Sequence, residues 1–348
     1  LNLIVKKIFL KIFFVLFTFI ANAQDQDSLV YYNADNFQII GKGFQDTEFL
    51  YDRLPKHLKN QIRPVLWNLS KNSSGIAIRF CSNTSTIRIR WDNLFVNNMS
   101  HMAATGVRGL DLYAYEKGNW QYISTAKPEA KITEKTLISK MPSLDREYML
   151  YLPLYDGIQK VEIGIDVESK IFNPKIPVPQ TGNPIVFYGT SITQGGCASR
   201  PGMAYPSIIA RKMNIETINL GFSGNGLMDW EILNEMLRIN VSCYVIDCLP
   251  NCNLQRVNER GYQFIKRLLN EKSDTPVIMV VEVGFAQSIF NLELNEQVKK
   301  KNKTWVKIFK RLKNEGHQNL FLLPNENLIG NDFEGTVDGR HFTDLGFQ

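Results

Sequence analysis

The chain changes its hydrophobic period once, and that change limits the folds open to it. Up to about residue 172, apolar and polar residues alternate in short runs, as in Gly75-Ile76-Ala77-Ile78-Arg79-Phe80, Thr86-Ile87-Arg88-Ile89-Arg90-Trp91 and Gly109-Leu110-Asp111-Leu112-Tyr113-Ala114-Tyr115. A period of two marks half-buried strands. From residue 185 onward, short apolar runs alternate with segments of helical period. That pattern marks a parallel sheet with crossover helices. Between the two lies 173–184, with four prolines, which reads as a stiff extended linker.

Three segments are therefore expected after any leader. Residues 25–172 form an all-β sandwich of jelly-roll type, 173–184 the linker, and 185–348 a doubly wound, flavodoxin-like parallel sheet of five strands. Ser82-Asn83-Thr84 and Lys117-Gly118-Asn119 read as hairpin turns. In the second half, strands are expected at 185–188, 217–220, 243–247, 276–281 and 320–323. Helices are expected near 204–213, 229–239, 257–271 and 292–315.

Residues 1–23 have the pattern of a secretory signal: Lys6, Lys7 and Lys11, an apolar run from Ile12 to Ile20, and Ala21-Asn22-Ala23 before Gln24. The run is too short for a spanning helix of ~20 residues. Cleavage after Ala23 and export, periplasmic or secreted, are expected, with no membrane span left. The first residue is Leu1 and Gln348 stands just inside an expected helix, so the chain is expected to be incomplete at both ends. Loss of the three leader lysines reduces 40 basic residues to 37 against 34 acidic ones, a weak charge. With no basic run interleaved with aromatics, nucleic acid is not an expected partner. The five cysteines, an odd number, do not make a disulfide framework. Cys248 and Cys252 are four apart, close enough for a local bridge, whereas C-x-x-x-C without nearby histidines disfavours zinc.

The strand Ile185–Tyr188 runs straight into Gly189-Thr190-Ser191-Ile192-Thr193, a tight turn bearing a serine. Ligands of such sheets meet the chain at the carboxyl ends of strands. A serine needs a base to take its proton. Four histidines are available, His57, His101, His317 and His341. His341 follows the last strand, at the same sheet edge, and Asp338 precedes it by three residues across a glycine. Alone, Asp-x-x-His is an ordinary capped helix start. With the serine turn, it offers a base and the carboxylate that orients it. The glycine loop Leu220–Gly226 and the Leu249-Pro250-Asn251 loop follow the second and third strands. They supply N–H groups and an amide for an oxyanion.

This order of four loops resembles the SGNH (GDSL-like) hydrolase superfamily across ~183–348. The four residues that name it correspond to Ser191, Gly224, Asn251 and His341. The upstream Gly109-Leu110-Asp111-Leu112-Tyr113 resembles the GxDLY motif of an N-terminal β-domain found with one exported bacterial branch. The sequence departs from the family at Thr190, where Asp is usual, at Leu249-Pro250-Asn251, which lacks Gly-x-Asn-Asp, and at Phe342, where Pro often stands. Gly189-Thr190-Ser191-Ile192-Thr193 is not the Gly-x-Ser-x-Gly of α/β-hydrolases.

The resemblance implies a serine esterase, without metal or organic cofactor. Catalysis is expected from Ser191, Asp338 and His341, with the Ser191 and Gly224 N–H groups and the Asn251 amide as oxyanion donors. The expected substrate is a small acyl ester, acetyl foremost, on carbohydrate. The competing readings are a lipase or lysophospholipase, against which no long apolar lid is visible, and a non-catalytic carbohydrate-binding protein. His101 and Phe342 are candidate pocket residues, although His101 also fits a surface loop. Trp91, Tyr113, Tyr115 and Trp120 fit either a sandwich core or sugar stacking. The oligomeric state is not legible.

Overall fold

The computed structural model describes residues 28–176, 182–326, 328–330 and 332–348. The expected leader with its expected cleavage site, and the middle of the proline-rich linker, lie outside the described residues.

Ten strands build the N-terminal region. They are β1 (Leu29–Asn33), β2 (Gln38–Ile40), β3 (Ala77–Ser82), β4 (Ile87–Asn93), β5 (Leu110–Glu116), β6 (Asn119–Ala126), β7 (Ile132–Ile138), β8 (Arg146–Tyr151), β9 (Ile158–Asp166) and β10 (Ile171–Phe172). Two antiparallel sheets result, β1-β9-β4-β7 and β10-β3-β8-β5-β6, with β2 beside β3. Ile87, Ile89 and Trp91 of β4 face Ile78 and Phe80 of β3 and Leu110 and Leu112 of β5 in one apolar core. The alternation in β4 is the expected one, with Arg88 and Arg90 turned outward.

The expected hairpin at Ser82-Asn83-Thr84 is not one. β3 pairs with β8, and β4 pairs with β7 and β9 in the opposite sheet. The connection crosses the sandwich. Alternation reports which face a strand buries, and is silent on which strand it pairs with. β3 is also buried on both faces: on the second, Ala77 packs with Tyr113, Met149 and Tyr151, and Arg79 bonds Glu147 and Ile176 O. The turn at Lys117-Gly118 does join a hairpin, β5–β6, with φ of +51° and +84° at its two residues. Positive φ at both central positions is the type I′ geometry that suits the strand twist.

In the C-terminal region the strands are β11 (Ile185–Gly189), β12 (Thr217–Gly221), β13 (Cys243–Asp247), β14 (Val277–Val280) and β15 (Leu320–Leu323). All pair in parallel, in the order β12-β11-β13-β14-β15. This is the flavodoxin-like 2-1-3-4-5 order, with its switch point at the first strand. β11 is buried at all five residues, as a central strand covered on both faces must be. Val186 and Tyr188 face a large core against the helices Trp230–Arg238, Tyr262–Glu271 and Leu292–Asn314. Ile185, Phe187, Val245 and Val280 face the helix Tyr205–Met213 on the other side. The helix expected at 257–271 starts at Leu254 and passes through a π-helical turn over Val257–Gly261. No helix among the described residues is long and apolar enough to cross a membrane.

The outer face of the β3 sheet docks on this second region. Tyr113, Met149 and Tyr151 form a small cluster there, and the Arg211 guanidinium lies 4.3 Å above the Tyr113 ring. Trp91 is sandwich core, and Trp120 packs against Tyr115 with its indole N–H 3.4 Å from Asn214 Oδ1. All four aromatics considered for sugar stacking are engaged in packing.

Candidate active site

Ser191 opens a four-residue helical turn, Ser191–Gln194, at the end of β11. Thr190 caps that turn, its Oγ1 accepting the Ile192 N–H at 3.2 Å. The short polar side chain at the cap does what Asp would do there. Gly195, at φ +102°, ends the turn, and the chain folds back so that the Gly196 N–H reaches Ser191 O at 2.7 Å. Ser191 Oγ lies 2.9 Å from His341 Nε2. His341 Nδ1 lies 2.7 Å from Asp338 Oδ2. Asp338 Oδ1 accepts the N–H groups of His341 and Arg340 at 2.8 and 3.0 Å. Gly339, at φ +81°, allows the reversal that brings the carboxylate beneath its own histidine. Partial burial raises the Asp338 carboxyl. The His341 N–H, its imidazole and the Arg340 N–H outweigh that and hold it down to about 2. It is therefore an anion throughout the neutral range, and the Nδ1–H tautomer leaves Nε2 as a base toward Ser191.

Two loops close on the serine. The Phe222 N–H donates to Gly189 O at 3.1 Å, and the Ser223 N–H to Gln194 Oε1 at 2.9 Å. Gly224 adopts φ +66°. Leu249–Asn251 forms a single 3₁₀ turn. Asn251 Oδ1 accepts the Gly226 N–H at 3.1 Å, which ties the two loops together and leaves the Asn251 Nδ2 group to donate elsewhere. Among the described residues, the N–H groups of Ser191 and Gly224 and the Nδ2 group of Asn251 have no protein acceptor. Unspent donors on the turn after β11 and on the loops after β12 and β13, at one edge of the sheet, are of the kind that can hold a developing oxyanion. The Arg340 guanidinium bonds Pro250 O and lies 4.5 Å from the Phe285 ring centroid, fastening the histidine loop to the asparagine loop.

The two candidate pocket residues part ways. The His101 ring centroid lies 5.7 Å from that of His341, so this N-terminal residue stands beside the site. Phe342 instead packs against Phe347, with Ile192 and Leu154 in the same cluster. It lines a cavity of about 610 Å³ against the sheet face of Phe187, Val245 and Val280. Neither Ser191 nor His341 borders that cavity, so it is distinct from the space above the serine. Of the other histidines, His57 lies 2.9 Å from Glu235, remote from the site, and His317 closes the helix Leu292–Asn314. Cys248 and Cys252 are free thiols, both buried.

Several supports were not legible in the sequence. Arg53, 2% exposed, donates to the carbonyls of Asn72, Leu69, Asn219 and Gly221 at 2.6–3.1 Å and stacks on Phe222. It thus splices the N-terminal region to the end of β12, under the glycine loop. Burial pulls its pKa down to about 9. Tyr155 OH bonds Ser191 O at 3.3 Å, and the Gln194 amide bonds Leu154 O at 3.0 Å. An arginine in a loop, or a tyrosine after a strand, carries no pattern that predicts such contacts.

A flavodoxin-like sheet with a serine, a glycine loop, an asparagine loop and an Asp-x-x-His loop at one edge defines the class of SGNH-type hydrolases. The chain belongs to the GDSL-like lipase/acylhydrolase family, whose profile matches residues 182–348, while that of GxDLY, the N-terminus of SGNH-hydrolase-type esterases, matches 29–171. It is similar to a GDSL-like lipase from Bacteroides ovatus at 33% identity, over 92% of this chain and 94% of that one, with a TM-score of 0.87. The salicylyl-acyltransferase SsfX3 from a tetracycline biosynthetic pathway shares the fold at 15% identity, covering 93% and 92%, with a TM-score of 0.72. So does a family two carbohydrate esterase from Cellvibrio japonicus, at 12% identity, 92% and 94% coverage, and a TM-score of 0.58. No curated protein matches the sequence. The family places the chain among carboxylic ester hydrolases.

Proposed function

We propose that the chain is an exported serine esterase that removes small acyl groups, acetyl foremost, from carbohydrate. One observation carries the catalytic part of this reading: the hydrogen-bonded line Ser191–His341–Asp338 beside three donors without acceptors. Ser191 Oγ attacks the ester carbonyl while His341 Nε2 takes its proton. Asp338 holds the Nδ1–H and balances the imidazolium. The Ser191 and Gly224 N–H groups and the Asn251 amide receive the oxyanion. His341 then protonates the departing alcohol, and water, deprotonated by the same nitrogen, releases the acid. No step needs a cofactor.

The carbohydrate part is supported by the leader-like residues 1–23 and by the shared fold with carbohydrate esterases. His101 stands beside His341, the residue that would protonate the leaving alcohol. One observation favours longer acyl groups: Ile289, Phe290 and Leu292 stand exposed near Ala286, whose N–H donates to Gly339 O in the histidine loop. A series of p-nitrophenyl esters separates the two readings. Acetate hydrolysed best, with acetate also released from acetylated glycans, supports the esterase. A kcat/KM rising with chain length supports the lipase. Absence of both turnover and fluorophosphonate labelling at Ser191 overturns the catalytic assignment.

A further inference from the structure

We propose that His101, Cys197 and His341 form a binding site for a thiophilic divalent cation, zinc foremost, whose occupation switches the ester site off. The inference rests on the catalytic reading only for the consequence, and on geometry for the site. One ligand atom from each of the three side chains lies within 4.8 Å of the others. They come from separate places in the sequence: a loop of the N-terminal region, the turn after the serine, and the loop after β15.

Cys197 is an unusual residue on its own terms. It is buried, its thiol is free, and its backbone is left-handed at φ +72°. Non-glycine residues seldom adopt that conformation. Cys197 follows the left-handed Gly195, at φ +102°, by two residues, and its sulfur lies within 4.8 Å of an imidazole nitrogen of His341. A Cβ on Gly196 would lie 3.5 Å from His341 Cδ2, which shows how tightly this turn runs beneath the histidine.

The donor set suits zinc. Bond lengths of about 2.3 Å to sulfur and about 2.0 Å to nitrogen set tetrahedral ligand atoms about 3.3–3.6 Å apart. Closing from the observed spread takes roughly 1 Å, and His101, exposed on its loop, is free to supply it. Three protein ligands leave a fourth position for water. His341 already holds its Nδ1–H on the Asp338 carboxylate, as zinc-bound histidines do, and its Nε2, 2.9 Å from Ser191 Oγ, is the nitrogen left to turn to the metal. On binding, the Cys197 S–H bond breaks as the metal–sulfur bond forms, and the proton goes to solvent. The Nε2 lone pair goes to the metal and no longer accepts the Ser191 proton. Nothing is oxidised or reduced.

The test has two arms. In the first, metal-free enzyme is titrated with chelator-buffered Zn²⁺ while p-nitrophenyl acetate hydrolysis is followed. Inhibition reversed by chelator is expected, with the inhibition constant weakened at least about tenfold in Cys197→Ser and in His101→Ala, each relative to its own uninhibited rate. In the second, Ser191→Ala protein is titrated with Co²⁺. A thiolate-to-cobalt absorption band is expected, and its loss in Ser191→Ala/Cys197→Ser. Inhibition constants unchanged in both variants, or no thiolate band, overturn the site. A thiolate band in a protein whose wild type hydrolyses no ester supports the site and overturns the catalytic reading instead.

Discussion

The Arg200 guanidinium donates to the buried Asp111 carboxylate over 2.8 Å, and this pair links the GxDLY strand to the loop that holds His341. Asp111 also accepts the Gly202 N–H at 2.8 Å and the Thr125 hydroxyl at 2.6 Å. Tyr113, the motif tyrosine, receives the same guanidinium at 2.6 Å. One residue upstream, Ser199 donates its N–H to Asp344 Oδ1 at 2.9 Å and its hydroxyl to Oδ2. Asp344 lies three residues beyond His341. The motif therefore grips the turn that in turn grips the histidine loop.

Asp111→Asn keeps the shape and removes the charge, leaving Arg200 without its counter-ion. Breaking such a buried pair costs roughly 3 kcal/mol, so the melting temperature should fall. The positioning role adds a second effect. The kcat of the folded enzyme on p-nitrophenyl acetate should drop about tenfold with KM little changed, since a loosely held base acts on the transition state more than on substrate binding. A lower melting temperature with an unaltered kcat would leave the motif a purely structural one.

Ser191→Ala should lower kcat by roughly 10⁴-fold or more, with the melting temperature nearly unchanged. Asp338→Asn should cost less, about 10²–10⁴-fold, because its carboxylate side chain is 39% exposed and water can take its place. Steady-state kinetics on purified variants measures both, and equal rates for Ser191→Ala and wild type would end the assignment.

Asn251→Ala should lower kcat by about 10²–10³-fold with KM within a few-fold of wild type. Asn251→Asp should not restore it, because a carboxylate repels the oxyanion it would face. If either variant loses only KM, the amide binds substrate and does not stabilise the oxyanion.

Asp247, at the end of β13, accepts the hydroxyls of Tyr205 and Thr193 at 3.1 and 3.2 Å. Burial pushes its carboxyl up to about 7 in spite of them. Unfolded, it titrates near pH 4, at about 3.9. Below pH 4 it is protonated in both states. Between pH 4 and 7 the unfolded chain gives up the proton and the folded chain keeps it, so stability falls as pH rises and levels off above 7. Melting curves at pH 5 and pH 8 should therefore show a smaller drop for Asp247→Asn than for wild type. Equal drops would mean that the carboxyl is ionised at pH 5.

Arg53→Leu should destabilise the protein by about 3 kcal/mol, since four buried carbonyls lose their donor at once. Denaturant unfolding measures it. A loss below about 1 kcal/mol would mean that water replaces the guanidinium.

What the sequence settled by itself is local. The run from Ile185 into Gly189-Thr190-Ser191, the left-handed-capable Gly339 between Asp338 and His341, and the strand–helix alternation are short-range patterns, and short-range sterics read them the same way in any context. They sufficed for the five-stranded sheet and for bringing a serine, a histidine and an aspartate to one edge. Only the tertiary structure decided which strands pair across the sandwich, that His101 and Cys197 stand beside His341, that Phe342 faces another cavity, and that Arg53 and Asp111 join the two regions. Each of these is a meeting of residues far apart in the chain. Hydrophobic period states which face is buried, and has no means of stating what is buried against it.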